Sequence, residues 1–272
     1  MHEPHESNSV YSCESIQRRC PVGHATFVPR EGSSVLSLRP HACPICGYRG
    51  RFRSLEVQTG SRRWAECPRC GSYERHRLQK LVMDTLSAEF DFKAMRLLHV
   101  APEPALGLLF KTWFRAYETA DIETEKVDHK VDLRSLPFAD RTYDVVYASH
   151  VLEHIDDDEA ALLEIRRVLA PGGFAVLPVP IVVEETIEYP EPNPLEHYHV
   201  RAPGPDYYER YQPVFDRVRL FRSGDFDARY QVYVHEDRTK WPEESAPLRL
   251  PMDGEKHEDV VAVGIVDRTR ES

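Results

Sequence analysis

At 272 residues with 41% hydrophobic side chains, the chain can bury one full core and carry a small appended module, and its net charge of −10 excludes wholesale binding to nucleic acid. No run of roughly 18 apolar residues offers a membrane span, and the opening MHEPHESNSVYSCESIQRRC lacks the apolar segment of a secretory signal. A soluble, cytoplasmic protein with no membrane partner is the expectation.

Residues 1–42 are neutral overall, polar and rich in Ser, Pro, Glu and His, which predicts a flexible arm over residues 1–40. Between Cys43 and Lys80, nine Lys and Arg face three Glu, a local +6 that leaves −16 for residues 81–272. A basic module is therefore fused to an acidic domain. All six cysteines, Cys13, Cys20, Cys43, Cys46, Cys67 and Cys70, precede that acidic domain. In a cytosolic chain such clustering points to metal, not to disulfides. CPICG (43–47) and CPRCG (67–71) are two C-P-x-C-G knuckles, with twenty residues between Cys46 and Cys67. Their four thiolates suit one tetrahedral Zn2+, and a glycine relieves the turn after each second cysteine. Four cysteines close the coordination sphere to water, so residues 41–72 are expected to form a structural zinc ribbon. Thiol redox chemistry is the lesser alternative, and Cys13, Cys20 and His24 are poorly spaced for a second site. Arg49, Arg51, Arg53, Arg62, Arg63, Arg75 and Arg77 suit phosphate contact and docking on the acidic domain equally. Tyr48, Phe52, Trp64 and Tyr73 among them suit base stacking as well as a minimal core.

From Ser72, placed to cap, Leu78, Leu81, Val82 and Leu86 share one face of a bridging helix that opens the main domain, residues 73–272. Strand and helix patterns then alternate: RLLHV (96–100), a helix over 105–114, RAYETAD (115–121), TYDVVYAS (142–149) and a helix over about 157–169. Pro171-Gly172-Gly173 is expected to mark the end of that helix, before a FAVLPVP strand. A proline-rich loop (189–205), a short helix near Asp206 to Tyr211, and strand-like RVRLF, ARYQVYV and DVVAVGIV complete the chain. Such alternation predicts an α/β fold around a mostly parallel sheet.

In an open parallel sheet, ligands bind beyond the carboxyl ends of the strands. The residues there are Ala101-Pro102-Glu103-Pro104, Asp121-Ile122, Asp132-Leu133 and His150. Acids recur at these ends but phosphate-cradling glycines do not, which favours a ligand with hydroxyl and amino donors over a pyrophosphate.

The stretch DLRSLPFADRTYDVVYASHVLEHIDDDEAALLEIRRVLAPGGFAVLPVP resembles the middle of the class I S-adenosylmethionine-dependent methyltransferases. From CPICG through CPRCGSYERHRL to LLHVAPEP the chain is similar to a subgroup of type 11-like enzymes with an N-terminal zinc ribbon and an APE segment in place of the glycine loop. The resemblance spans about residues 43–210 and implies a Rossmann-like seven-stranded sheet that binds S-adenosylmethionine. It implies that Asp121, with Ile122, holds the ribose hydroxyls and that Asp132 and Leu133 meet the adenine. Ser149 and His150 would pass the sulfonium. His99 stands where the usual strand-end acid is found, and Ala101, Glu103 and Ala105 where glycines are found. Glu103 is expected to replace the missing acid and receive the cofactor's ammonium group.

Residues 184–212 are expected to form the acceptor loop, with His199 as general base and Arg201 as an anion clamp, or else as residues that pin the loop. Glu153-His154 suits a structural hydrogen-bonding pair at a helix start better than an acid/base pair. A small-molecule or sugar acceptor fits the acidic domain. RNA delivered by the basic ribbon, or a non-catalytic interaction protein on the same scaffold, are the alternatives.

Overall fold

A computed structural model describes residues 40–57, 60–237 and 256–268. The expected arm up to residue 39, with Cys13, Cys20 and His24, lies outside them. The ribbon comprises strands β1 (His41–Ala42), β2 (Arg49–Gly50), β3 (Arg53–Val57) and β4 (Gly60–Glu66), followed by helix α1 (Glu74–Leu86). Next come β5 (Arg96–Val100), α2 (Pro104–Trp113), β6 (Ala116–Asp121), β7 (His129–Lys130), β8 (Tyr143–Ala148), α3 (Asp158–Val168) and β9 (Leu169–Val176). The tail supplies β10 (Ile187–Asn193), β11 (His199–Ala202), β12 (Arg217–Arg222), β13 (Val234–Asp237), β14 (Lys256–His257) and β15 (Val260–Ile265).

Seven strands form one sheet in the order β12-β15-β9-β8-β5-β6-β7. Strands β5 to β9 run parallel, and β15 is antiparallel to both its neighbours. This is the expected Rossmann-like sheet. The chain leaves β5 toward β6 and β7, then returns through β8 to build the other half. The switch point therefore lies between β5 and β8, where a ligand crevice opens at the carboxyl edge.

Side-chain alternation divides the core between the two faces of the sheet. Leu98, Val100, Val146 and Ala148 pack with Leu162, Ile165 and Val168 of α3. Leu97, Val145 and Tyr147 pack with Leu78, Val82 and Leu86 of α1 and with Leu106 and Phe110 of α2. Each such fully buried aliphatic side chain contributes roughly 1.5–3 kcal/mol.

Four local expectations are corrected. Ser72 does not cap α1: Tyr73 is the N-cap, its backbone N–H donating to His76 Nδ1 at 3.1 Å, while the Ser72 hydroxyl turns to the cysteines. The segment expected as a loop over 189–205 contains a hairpin, β10 with β11, in spite of its prolines. Its edges are free of neighbours in the large sheet, where proline is tolerated. ARYQVYV begins as a 3-10 turn (Ala228–Tyr230) and becomes strand only at Val234. Helix α3 ends at Val168, and Pro171 to Gly173 form an irregular start to β9. Gly173 is required there, because a Cβ would stand 2.4 Å from the Asp144 carbonyl oxygen.

The ribbon does not complete its own sheet. Strands β13 and β14, from the far end of the chain, extend the β3–β4 hairpin in the order β14-β13-β4-β3. Arg77 of α1 fastens the junction. Fully buried, its guanidinium donates to the carbonyls of Ala65 and Ser72 (2.9 and 2.7 Å) in the ribbon and of Tyr230 and Gln231 (3.0 and 2.6 Å) in the tail. It also lies 4.4 Å over the Phe52 ring. Burial lowers its pKa to about 10, still charged at any working pH.

Candidate functional site

The four knuckle cysteines converge. Cys43 and Cys70 sulfurs are 3.6 Å apart, as are Cys46 and Cys67, and all four lie within 4.8 Å of one another. A disulfide would bring sulfurs to about 2.05 Å, whereas tetrahedral Zn–S bonds of about 2.3 Å require an edge near 3.8 Å. The spacing fits Zn2+. Both turns have the same construction: Gly47 donates to the Cys43 carbonyl and Gly71 to that of Cys67, each at 2.9 Å, with φ of +72° and +71°. Ser72 Oγ lies 3.4 Å from Cys43 Sγ and 3.2 Å from Cys70 Sγ. Burial pushes the Cys43 thiol up, but the Ser72 hydroxyl and the Cys46 and Ile45 N–H groups outweigh it and bring it to about 7. Such a thiolate is ready for metal. Ile45, between the first two ligands, packs on both the ribbon core and the core beneath α1.

At the carboxyl edge of the large sheet, Glu103 stands at the start of α2. Its Oε1 accepts from Ser149 Oγ at 3.2 Å and lies 3.3 Å from His76 Nε2 and 3.7 Å from Arg75 Nε. Because His76 Nδ1 accepts the Tyr73 N–H, the neutral ring carries its proton on Nε2, toward the carboxylate. Burial alone would raise the Glu103 pKa, but His76 and Arg75 bring it down to about 2. The carboxylate is ionised. Its second oxygen, Oε2, is buried without a hydrogen-bond partner. An ammonium group would satisfy it.

Ala101, in the turn after β5, adopts φ +47°, the left-handed conformation usual for glycine. His99 is a core residue. Its Nδ1 meets the Tyr117 hydroxyl at 3.0 Å, and Phe110, Tyr117 and Tyr147 surround the ring. Burial lowers its pKa to about 4, opposed only by Glu103. Below pH 6.5 the unfolded chain takes up a proton that folded His99 refuses, so stability falls with pH until about 4. At about 1.4 kcal/mol per pH unit, this one ring makes the fold about 3 kcal/mol weaker at pH 4 than at pH 7. The His99→Phe variant is expected to lose that share of the acid sensitivity in urea unfolding at the two pH values. An unchanged difference would refute the assignment.

Asp121 closes β6 with Oδ1 held by the Glu123 and Thr124 N–H groups at 2.8 and 3.3 Å. Beside it Ile122 is an apolar side chain left 58% exposed, an open surface for an aromatic ring. Leu133, expected to cover that ring, is instead buried in the core. Asp132 is already gripped by Arg134, whose Nη2 lies 2.7 Å from Oδ2 and whose Nε is 3.1 Å from both oxygens. An adenine amine would have to share that carboxylate.

Ser149 and His150 follow β8. Ser149 Oγ accepts from Gln79 Nε2 at 2.8 Å, and Gln79 Oε1 in turn accepts from the Tyr147 hydroxyl. His150 has φ +55°, a strained turn of the kind found at functional sites. Its Nδ1 lies 3.3 Å from Glu153 Oε1. His199, on β11, comes to the same place, its ring T-shaped on His154 at 4.6 Å. Burial pushes its pKa down to about 3, so it is a weak base. Arg201 is held away from any acceptor. It is buried and donates to the carbonyls of Leu152, Ile155 and Asp156 (2.9, 2.6 and 3.0 Å) and to Glu188. It shapes the turn that carries Glu153 and His154.

Sequence reasoning missed His76 and Gln79, taken only as parts of a bridging helix, and read Arg75 as a phosphate or docking residue of the ribbon. Polar residues interrupting a helix that is buried on every side were the available signal.

Residues 110–177 match the methyltransferase domain family. The chain is 34% identical over 79 residues, 28% of each chain, to a methyltransferase of Schizosaccharomyces pombe. It is 32% identical over 115 residues to the demethylmenaquinone methyltransferase of Mycolicibacterium paratuberculosis, covering 42% of this chain and 43% of that one. It thus spans less than half the length of these curated relatives. An S-adenosylmethionine-dependent methyltransferase structure from Mesorhizobium loti is 13% identical, with 66% of this chain and 96% of that one covered and a TM-score of 0.45. The family match runs from the end of α2 through β9, the central part of the large sheet.

Proposed function

We propose that this chain is an S-adenosylmethionine-dependent methyltransferase with a structural zinc ribbon, acting on a small-molecule or sugar acceptor. The observation that carries the reading is the buried, unpartnered Oε2 of an ionised Glu103 at the switch point, a receptor for an ammonium group where glycine loops ordinarily serve. Asp121 supports it, fixed through one oxygen and placed to accept a ribose diol with the other. Ile122 offers the adenine an apolar surface.

S-adenosylmethionine, when bound, supplies a methyl group already activated by its sulfonium. The protein's part is therefore to hold acceptor, methyl and sulfur in line and to exclude water. Ser149 and His150, at the end of β8, border the space between the cofactor and acceptor sides. Arg201 acts as a positioning residue through the turn it holds.

A small acceptor is favoured over RNA by the fate of the basic residues. Arg77 is spent on internal carbonyls and Arg62 on buried Glu74 at 3.0 Å, while the exposed Arg53 and Arg69 are engaged by Glu66 and by the Cys46 carbonyl. Residues 81–272, at −16, would repel a polyanion.

Calorimetry with S-adenosylmethionine tests the proposal. Glu103→Gln is expected to raise the cofactor Kd tenfold or more, because a charge-assisted bond is worth about 1.5–3 kcal/mol. Equal affinity in the two proteins would remove Glu103 from the site, and no binding to the unmodified chain would reject the enzyme.

A further inference from the structure

Beside the cofactor edge lies a group that the methyl-transfer reading does not use. Glu153, in the turn after β8, is fully buried, and neither carboxylate oxygen has a hydrogen-bond partner. A buried carboxylate in that condition is costly unless a cation compensates it. Three imidazoles gather around it. His150 Nδ1 is 3.3 Å from Oε1 without hydrogen-bond geometry, His154 is its chain neighbour, and His199 reaches it from β11. One nitrogen each of His154 and His199 and one oxygen of Glu153 lie within 4.8 Å of one another. The His199 Nδ1 atom and the His150 Nε2 atom are also buried and unpartnered.

The pattern has an economical chemical solution. We propose that Glu153, His154 and His199 bind a divalent first-row transition cation, forming a second metal site distinct from the four-cysteine centre. Two imidazoles and one carboxylate suit ions of the zinc, nickel, cobalt and ferrous class, and hold them on one face with the remaining positions open. Metal–ligand bonds of about 2.0–2.2 Å require ligand atoms roughly 3.4 Å apart, so atoms that now lie within 4.8 Å of one another would close by at most about 1.4 Å. His154 is the exposed member of the group. Arg201 fixes the turn under Glu153 and His154 through three backbone carbonyls, and its own strand, β11, carries His199. The same arginine therefore sets the distance between the ligands. The site stands whether or not the chain transfers methyl groups.

Cobalt titration of the full chain, prepared without a histidine tag and with its cysteine centre filled by Zn2+, tests the site. One further equivalent of Co2+ is expected, with weak visible absorption and no sulfur-to-cobalt charge-transfer band. His154→Ala and Glu153→Gln are each expected to weaken that equivalent tenfold or more, with melting of the zinc-loaded variants before cobalt is added showing which of them fold. Absence of a further equivalent, a thiolate band from exchange into the cysteine centre, or unchanged affinity in either folded variant would overturn the proposal.

Discussion

Stripping the metal from the four-cysteine centre is expected to lower the melting temperature of the whole chain, not of a detached module, by at least about 10 °C. Structural zinc contributes about 10–16 kcal/mol in isolated finger peptides, and part of that is lost to the larger fold here. Two features carry the damage outward. The ribbon hairpin β3–β4 pairs with β13, which lies in the chain between β12 and β15 of the large sheet, and Ile45 between two ligands packs against the α1 core. Unravelling the knuckles therefore exposes apolar surface on both sides of α1. Cys67→Ser is expected to act in the same direction, because a hydroxyl is a poor replacement for the buried thiolate. Scanning calorimetry before and after chelation reads the effect. A chelated protein melting within about 2 °C of the untreated one would show that the ribbon is an independent appendage.

Replacing Arg77 by methionine is expected to destabilise the chain by about 3–5 kcal/mol, the magnitude seen when one member of a buried charged network is removed. Methionine fills much of the volume but donates nothing. The part-buried Tyr230 carbonyl and the buried Gln231 carbonyl then lose their donors, and the Phe52 face loses its cation. The Ser72 carbonyl keeps the Cys67 N–H at 2.9 Å, so the knuckle itself survives. Urea unfolding of the zinc-loaded variant reads the difference. A loss under about 1 kcal/mol would mean that water reaches those carbonyls and replaces the guanidinium.

The parallel core was legible because its signals are local. RLLHV and TYDVVYAS are continuous apolar runs of strand length, and both lie where expected at the centre of the sheet. The cysteine spacing was equally plain, since knuckle geometry depends on five consecutive residues. What escaped depends on partners distant in sequence. The β10–β11 hairpin was hidden by prolines that only an edge position tolerates, and the role of β13 in the ribbon joins segments some 170 residues apart. Among the site residues, Glu103 and Asp121 announce themselves as acids at strand ends. Arg201 reads in sequence like a catalytic arginine, and only its carbonyl partners reveal a different task. Gln79, 70 residues from the serine it supports, carries no local mark at all.

The first turn and a half of α1 gives this chain a shared axle. Arg77 on it grips the ribbon, while Arg75, His76 and Gln79 face Glu103 and Ser149 across the crevice. A rotation of the helix by even a few degrees moves both sets together. Whatever tightens the knuckles therefore also moves the groups around Glu103, and a metal held by the four cysteines, though it would touch no reactant, would set the angle at which the crevice meets its ligand.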